Sequence, residues 1–196
     1  MHRIILASGS PRRRQLLDQV GITHEIIVSD VDETIDGPPA HQVESLALRK
    51  ANTVHDMIQG NAVIIAADTL VYIDDKVLGK PNTPEDAFDM LKLLQGRVHA
   101  VYTGVAVLHV SDSGVAGHSF VDISNVHFRK LTDKEIWAYI ATGEPFDKAG
   151  SYGVQDRGAL LVDRIDGDYF TVVGLPVAKL AVLLRNVGIE VWDIKA

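Results

Sequence analysis

The sequence predicts an α/β fold built on a mixed sheet, from three features. Strand-like and helix-like stretches alternate through the first half of the 196-residue chain. Residues 62–67, Ala-Val-Ile-Ile-Ala-Ala, form a continuous apolar run of buried-strand length. Residues 98–110 and 119–128 are β-rich and bracket a Ser-Asp-Ser-Gly turn, which predicts two long neighbouring strands paired antiparallel.

Taken in order, residues 3–7 read as a first strand and 11–20 as a helix, with Ser10 as cap, Pro11 at the first helical position and Gly21 past the end. Residues 24–28 form a second short strand. The acidic segment 29–40 carries Gly-Pro-Pro, cannot be regular throughout, and is expected to be an exposed loop. Val43, Leu46, Ala47, Ala51, Val54 and Ile58 fall at helical spacing over 43–58. After the apolar run, residues 70–73 and 76–78 flank Asp74-Asp75 as a hairpin would, and Thr83-Pro84 starts a helix over 84–94 that Gly96 closes. Thr132 with Glu135 is a capping-box signature for a helix to residue 141. Residues 159–165 and 169–173 flank an Asp-Gly turn of the kind that joins hairpin strands, and a last helix spans 176–187 before Gly188.

No repeat, low-complexity tract or long linker interrupts the chain, so residues 1–196 are expected to be a single domain. Apolar residues at 46% and charged residues at 23% are the balance of an ordinary globular protein. The absence of cysteine excludes disulfides, a thiolate nucleophile and a Cys-based zinc site. A net charge of −7 argues against a nucleic-acid partner, and an anionic small molecule would need positive charge gathered locally. The apolar run near the N-terminus is too short for a signal peptide, and no stretch approaches the roughly 20 apolar residues a membrane helix needs. No membrane partner and a cytoplasmic location are therefore expected. Neither G-x-G-x-x-G nor G-x-x-x-x-G-K-[ST] occurs, so phosphates, if bound, are held in another way.

Five segments could carry chemistry. Ser8-Gly9-Ser10-Pro11-Arg12-Arg13-Arg14 sits where a strand turns into a helix, so amides, hydroxyls and guanidinium groups can converge on an anion. The bland alternative is a helix start with solvated arginines. Cations in a first turn oppose the helix dipole, however, and that favours a bound anion. The loop 29–36 packs four carboxylates into seven positions; it is either a solvated acidic loop or a source of hard oxygen ligands for Mg²⁺. Asp68, followed by Thr69, ends the apolar run and so places a carboxylate at the carboxyl end of a central strand, where α/β folds locate ligands. Lys80, between Gly79 and Pro81, suits a phosphate oxygen but equally an ordinary surface. The loop 147–155 brings Lys148, Tyr152 and Gln155 among glycines, which fits close approach to a planar base or a plain Gly-rich turn. The histidines show no metal-ligand spacing.

Together, Ser8-Gly9-Ser10-Pro11-Arg12-Arg13, Val31-Asp32-Glu33, Ala67-Asp68-Thr69, Leu78-Gly79-Lys80-Pro81 and the run from Asp147 to Gln155 resemble the Maf family in order and spacing. Gly174-Leu175-Pro176 resembles the family too. The resemblance implies a fold similar to the inosine triphosphate pyrophosphatase group: a long mixed β-sheet flanked by helices, with two lobes around a cleft. It implies a hydrolase acting on acid anhydrides that converts dTTP and UTP, and modified pyrimidine nucleotides, to the monophosphate and pyrophosphate. House-cleaning of the nucleotide pool and a link to cell-division arrest come with it. By the same resemblance Asp68, Glu33 and Lys80 are catalytic, and the mechanism expected from their chemistry has Glu33 with Asp68 hold Mg²⁺ or Mn²⁺ over the phosphates. Ser8, Arg12, Arg13, Thr69 and Gln155 bind substrate, joined by Lys148 of the same loop. Arg12, Thr69 and Gln155 mark the dTTP and UTP branch; a 7-methyl-GTP pyrophosphatase, the sister branch, carries an aromatic after Pro11. A nucleotide-binding regulator of septum formation is the alternative of a different class. The partner implied is a free nucleoside triphosphate, and exposed apolar residues are compatible with a homodimer.

Overall fold

The computed structural model describes residues 3–193. Along the chain come β1 (Ile4–Leu6), α1 (Pro11–Gln19), β2 (Glu25–Ile26), α2 (Pro39–Met57), β3 (Ala62–Ile73), β4 (Lys76–Leu78), α3 (Pro84–Leu94), β5 (Val98–Ser111), β6 (Gly114–Phe128), α4 (Asp133–Ile140), β7 (Val162–Asp166), α5 (Tyr169–Val173) and α6 (Val177–Asn186). Short 3-10 turns lie at Glu144–Asp147, Ala149–Ser151, Asp156–Leu161 and Val191–Asp193. The strands form a seven-stranded mixed sheet in the order β2-β1-β3-β5-β6-β7, with β4 added to β3, and helices flank it. None of the described helices is long and apolar enough to cross a membrane.

The chain divides into two compact units: Met1–Asp68, Thr103–Asp122 and Gly174–Ala196 form the first, Thr69–Tyr102 and Ile123–Val173 the second. In the first unit, β1 pairs parallel with both β2 and β3, Ile5 lying opposite Glu25 and Ile64. The buried stripe of α2, with Ala47, Ala51 and Val54, packs on Ile5, Ala7, Ile64 and Ala66. That approach is close enough to demand glycine at 104, where an added Cβ would stand 2.4 Å from the Val43 carbonyl of α2.

In the second unit, β3 continues into an antiparallel hairpin with β4, Val71 opposite Leu78 and Ile73 opposite Lys76. Its turn residues Asp74 and Asp75 both adopt positive φ, 49° and 59°, the conformation that follows strand twist, and Arg97 donates to the Asp74 carboxylate at 2.6 Å. The expected capping box of Thr132 with Glu135 is present on α4, and α3, started by Thr83-Pro84 as expected, carries a second one, Thr83 with Asp86. The two helices cover a core of Val71, Leu91, Val126, Phe128, Ile136 and Tyr152.

Several local expectations change. The strand holding Asp68 does not end there; Thr69-Leu70-Val71-Tyr72 is as strand-forming as the run before it, so Asp68 lies inside β3. Residues 169–173 are helical, not a strand. Asp168 redirects the chain, its carboxylate accepting from the Phe170 amide at 2.9 Å and its carbonyl from the Thr171 amide at 3.2 Å. Ser10 occupies the cap position of α1 without a side-chain cap; its own amide donates to Ser8 Oγ at 3.2 Å.

The second core also encloses a polar residue. His99 is 3% exposed, with the Phe128 and Tyr152 rings edge-on at 5.0 and 5.3 Å. Burial, with His127 adding to it, holds the His99 imidazole down to about 4. The unfolded chain takes up that proton as pH falls through about 6.5, the folded chain only near 4. The stability contributed by neutral His99 is therefore complete above pH 6.5 and lost on acidification toward 4, by up to roughly 3 kcal/mol. Denaturant titrations across this window are expected to show that slope in the wild type and a shallower one in His99→Leu; equal slopes would remove His99 as the cause.

Candidate active site

In the first unit, one lysine organises the acidic residues. Lys50 of α2 extends its ammonium to Glu33 Oε1 at 2.7 Å and to Asp68 Oδ1 at 2.8 Å. The lysine and Asp68 side chains are only 12% and 15% exposed, so their attraction is weakly screened, whereas Glu33, at 64%, reaches in from the loop. The neighbouring Arg49 donates to the Asp32 carbonyl, fixing the same loop by its backbone. Asp32 itself looks inward on its own turn, accepting from the Thr34 amide at 2.9 Å, and that bond holds its carboxyl below the usual range. The acidic loop is thus tied to α2 by two successive side chains.

Beside it, the turn from β1 to α1 forms a cationic cradle. Ser8 Oγ accepts from the Ser10 amide and from Arg13 Nη1 at 3.1 Å, while Arg13 Nε donates to the Gly174 carbonyl at 2.9 Å. Burial lowers the Arg13 guanidinium from its ordinary value; Asp68 opposes this, Arg12 adds to it and Glu33 opposes it. Arg12, Arg13, Glu33 and Asp68 therefore share one electrostatic neighbourhood. Arg14 is turned away, exposed and paired with Asp18 at 3.6 Å. The sequence-selected residues Ser8, Arg12, Arg13, Glu33 and Asp68 are brought together here, with Gly174 of the Gly-Leu-Pro segment as the backbone anchor of Arg13.

The remaining candidates belong to the second unit. Thr69 directly follows Asp68 on β3 and is half-buried, and Lys80 is exposed after β4. The Gly150 amide donates to the Gly79 carbonyl at 3.0 Å, joining the 147–155 loop to the segment bearing Lys80. Lys148 is committed within its own loop, donating to the Glu144 carbonyl at 2.6 Å and the Asp147 carboxylate at 2.7 Å. Gln155 is half-buried and immediately precedes the turn Asp156–Leu161. That turn folds back so tightly that a Cβ on Gly158 would fall 1.9 Å from the Gly153 carbonyl oxygen.

For a cation, the first unit offers the two carboxylates that meet at Lys50, both hard oxygen donors. Among the described residues no group of three or more His, Asp or Glu gathers as a metal cage. The donor set fits Mg²⁺, which takes one or two carboxylates and completes its shell with water and phosphate oxygens. Sequence reasoning missed Lys50. Its signal was its register: it follows Val43 by seven positions and Ala47 by three, which puts a charge in the apolar stripe of α2, where lysine needs a partner.

The family model described as Maf-like protein matches residues 3–187. A protein of Moorella thermoacetica named dTTP/UTP pyrophosphatase is 50% identical over 98% of this chain and 98% of its own length. One of the same name from Thermoanaerobacter sp. strain X514 is 48% identical over 94% of this chain and 96% of its own. Among solved structures, the Staphylococcus aureus Ham1 protein is 13% identical over 64% of this chain and 71% of that one, with a TM-score of 0.42.

If Lys50 fastens the acidic loop, Lys50→Met is expected to release it. Hydrogen exchange at amides 31–35 should accelerate by roughly tenfold while the β1 and β3 amides stay protected. Unchanged exchange would assign the loop's order to Arg49 and the Asp32 turn instead.

Proposed function

The chain belongs to the Maf family, and from that premise we propose that it hydrolyses dTTP and UTP to the nucleoside monophosphate and pyrophosphate. The observation that carries the reading is the pairing, within one unit, of an anion cradle from Ser8 and Arg13 with a carboxylate, Asp68, held in place by Lys50. A polyanionic ester explains the cradle. A nucleophilic water explains the shielded carboxylate.

In the mechanism, Ser8, Arg12, Arg13 and the first-turn amides of α1 receive the phosphates. Water attacks the α-phosphorus, its proton passes to Asp68, and the bond from that phosphorus to the bridging oxygen breaks, so pyrophosphate leaves. Arg13 and Lys80 offset the charge that grows on the leaving group. Lys50 holds Asp68 oriented before substrate arrives. Glu33 and Asp68 would hold Mg²⁺ or Mn²⁺, which supplies Lewis-acid neutralisation of phosphate charge when bound. Thr69 and Gln155 discriminate the base, Gln155 by offering an amide to its edge, and Lys148 steadies the loop that carries it. On this proposal the protein acts in the cytoplasm on free nucleotides, in house-cleaning of the pool and not on nucleic acid, and its exposed apolar residues are compatible with a homodimer. The net charge of −7 is in keeping with a small ligand drawn to local positive charge.

The test is turnover of a panel of nucleoside triphosphates with Mg²⁺ or Mn²⁺, products resolved. dTTP and UTP should lead and yield monophosphate plus pyrophosphate. Asp68→Asn, which conserves shape, should lower kcat by about 100-fold or more while the protein stays folded. A lead by 7-methyl-GTP would move the substrate to the sister branch, and nucleotide binding without turnover would favour a regulator of septum formation.

A further inference from the structure

The 147–158 loop is held in a conformation that its own sequence does not favour. Ser151, fully buried, has φ 64° and Asp156 has φ 50°, so two non-glycine residues in the left-handed region bracket the stretch that leads to Gln155. Such backbone persists only where surroundings impose it. Part of the restraint is local: the Gly153 amide donates to Tyr139 Oη at 3.2 Å, and Glu144 accepts from the Gly158 amide at 3.2 Å. Ser151 Oγ donates to Met90 Sδ at 3.0 Å.

The remaining restraint is the side chain between the two strained residues. Tyr152 points into the core, its ring edge-on to Phe128 at 4.6 Å, and its hydroxyl meets His99 Nε2 of β5 at 2.6 Å. His99 Nδ1 is buried with no hydrogen-bond partner among the described residues. If Tyr152 donates, the imidazole proton sits on that unpartnered nitrogen; if Nε2–H donates, the nitrogen keeps an unused lone pair. In either tautomer a polar atom is stranded that an apolar pair would not leave behind. The arrangement is a poor choice for stability and a good one for direction, because a hydrogen bond fixes the tyrosine along one line.

We propose that the His99–Tyr152 hydrogen bond sets the position of the 148–155 loop and so governs base selectivity, acting through Gln155 without touching the nucleotide. This rests on the pyrimidine-triphosphate reading above. His99 and Tyr152 are positioning residues: their loss displaces the base reader and leaves the phosphate chemistry of the other unit in place.

The experiment compares wild type, Tyr152→Phe, His99→Leu and His99→Gln in steady-state kinetics with dTTP and dGTP, together with hydrogen exchange over residues 148–158. Tyr152→Phe and His99→Leu should raise KM for dTTP and cut the dTTP-over-dGTP preference, each by roughly tenfold, with kcat down by less than about threefold. His99→Gln, whose amide can still meet the hydroxyl, should recover most of the preference. Folded Tyr152→Phe with wild-type KM and preference overturns the proposal, as does a fall in kcat alone. Should Tyr152→Phe not fold, His99→Leu gives the same readout. If the wild type turns over neither nucleotide, the functional reading fails separately; faster loop exchange in the variants then still supports the anchor, and unchanged exchange overturns it.

Discussion

The first unit depends on where one ammonium can be placed. Lys50 stands in the buried stripe of α2, where an unpaired charge would be costly to desolvate, so the fold must bring carboxylates to it. Asp68 meets it from the sheet and Glu33 from the loop. Those contacts in turn fix the acidic loop against the helix and leave Asp68 shielded from water. The adjacent guanidinium of Arg13 is held to Ser8 and to the Gly174 carbonyl. Cations and anions that would be liabilities singly therefore offset one another as a set, and the proposed hydrolysis draws on that set.

The second unit holds the loop that carries Gln155 in a defined conformation, and under the proposed function that loop presents an amide to the base. Glycines at 150, 153 and 158 let the backbone double back on itself, and the core supplies Tyr139, Tyr152 and His99 as anchors. The left-handed Ser151 and Asp156 show that the anchors win over local preference. Specificity among nucleobases depends on placing one hydrogen-bonding group well, since an unmatched buried polar group costs more than a missing apolar contact. A loop pinned from beneath suits that task better than a free one.

Much of this was legible in the sequence where local chemistry decides structure. Thr83-Pro84 and Thr132-x-x-Glu135 start helices because their caps are made within three residues, and the alternation of strands and helices gave the mixed sheet. Asp68 was expected at the end of its strand, but β3 runs on past it because the next four residues are as strand-forming as the preceding ones. Residues 169–173 were misread because strand propensity in Tyr-Phe-Thr-Val-Val is overridden by the Asp168 carboxylate and its carbonyl, which start a helix. Lys50 and the His99–Tyr152 pair were hidden for another reason. Their partners lie 18 and 53 positions away, and only the register of Lys50 on the buried face of α2 hints at a contact.

The phosphorus at which water attacks decides between the possible chemistries. Turnover of dTTP in ¹⁸O-enriched water, followed by mass spectrometry of both products, locates the new bond. Label in the nucleoside monophosphate alone is the predicted result, for attack at the α-phosphorus with Asp68 taking the proton. Label in pyrophosphate would place the attack on the β-phosphorus and contradict the assignment.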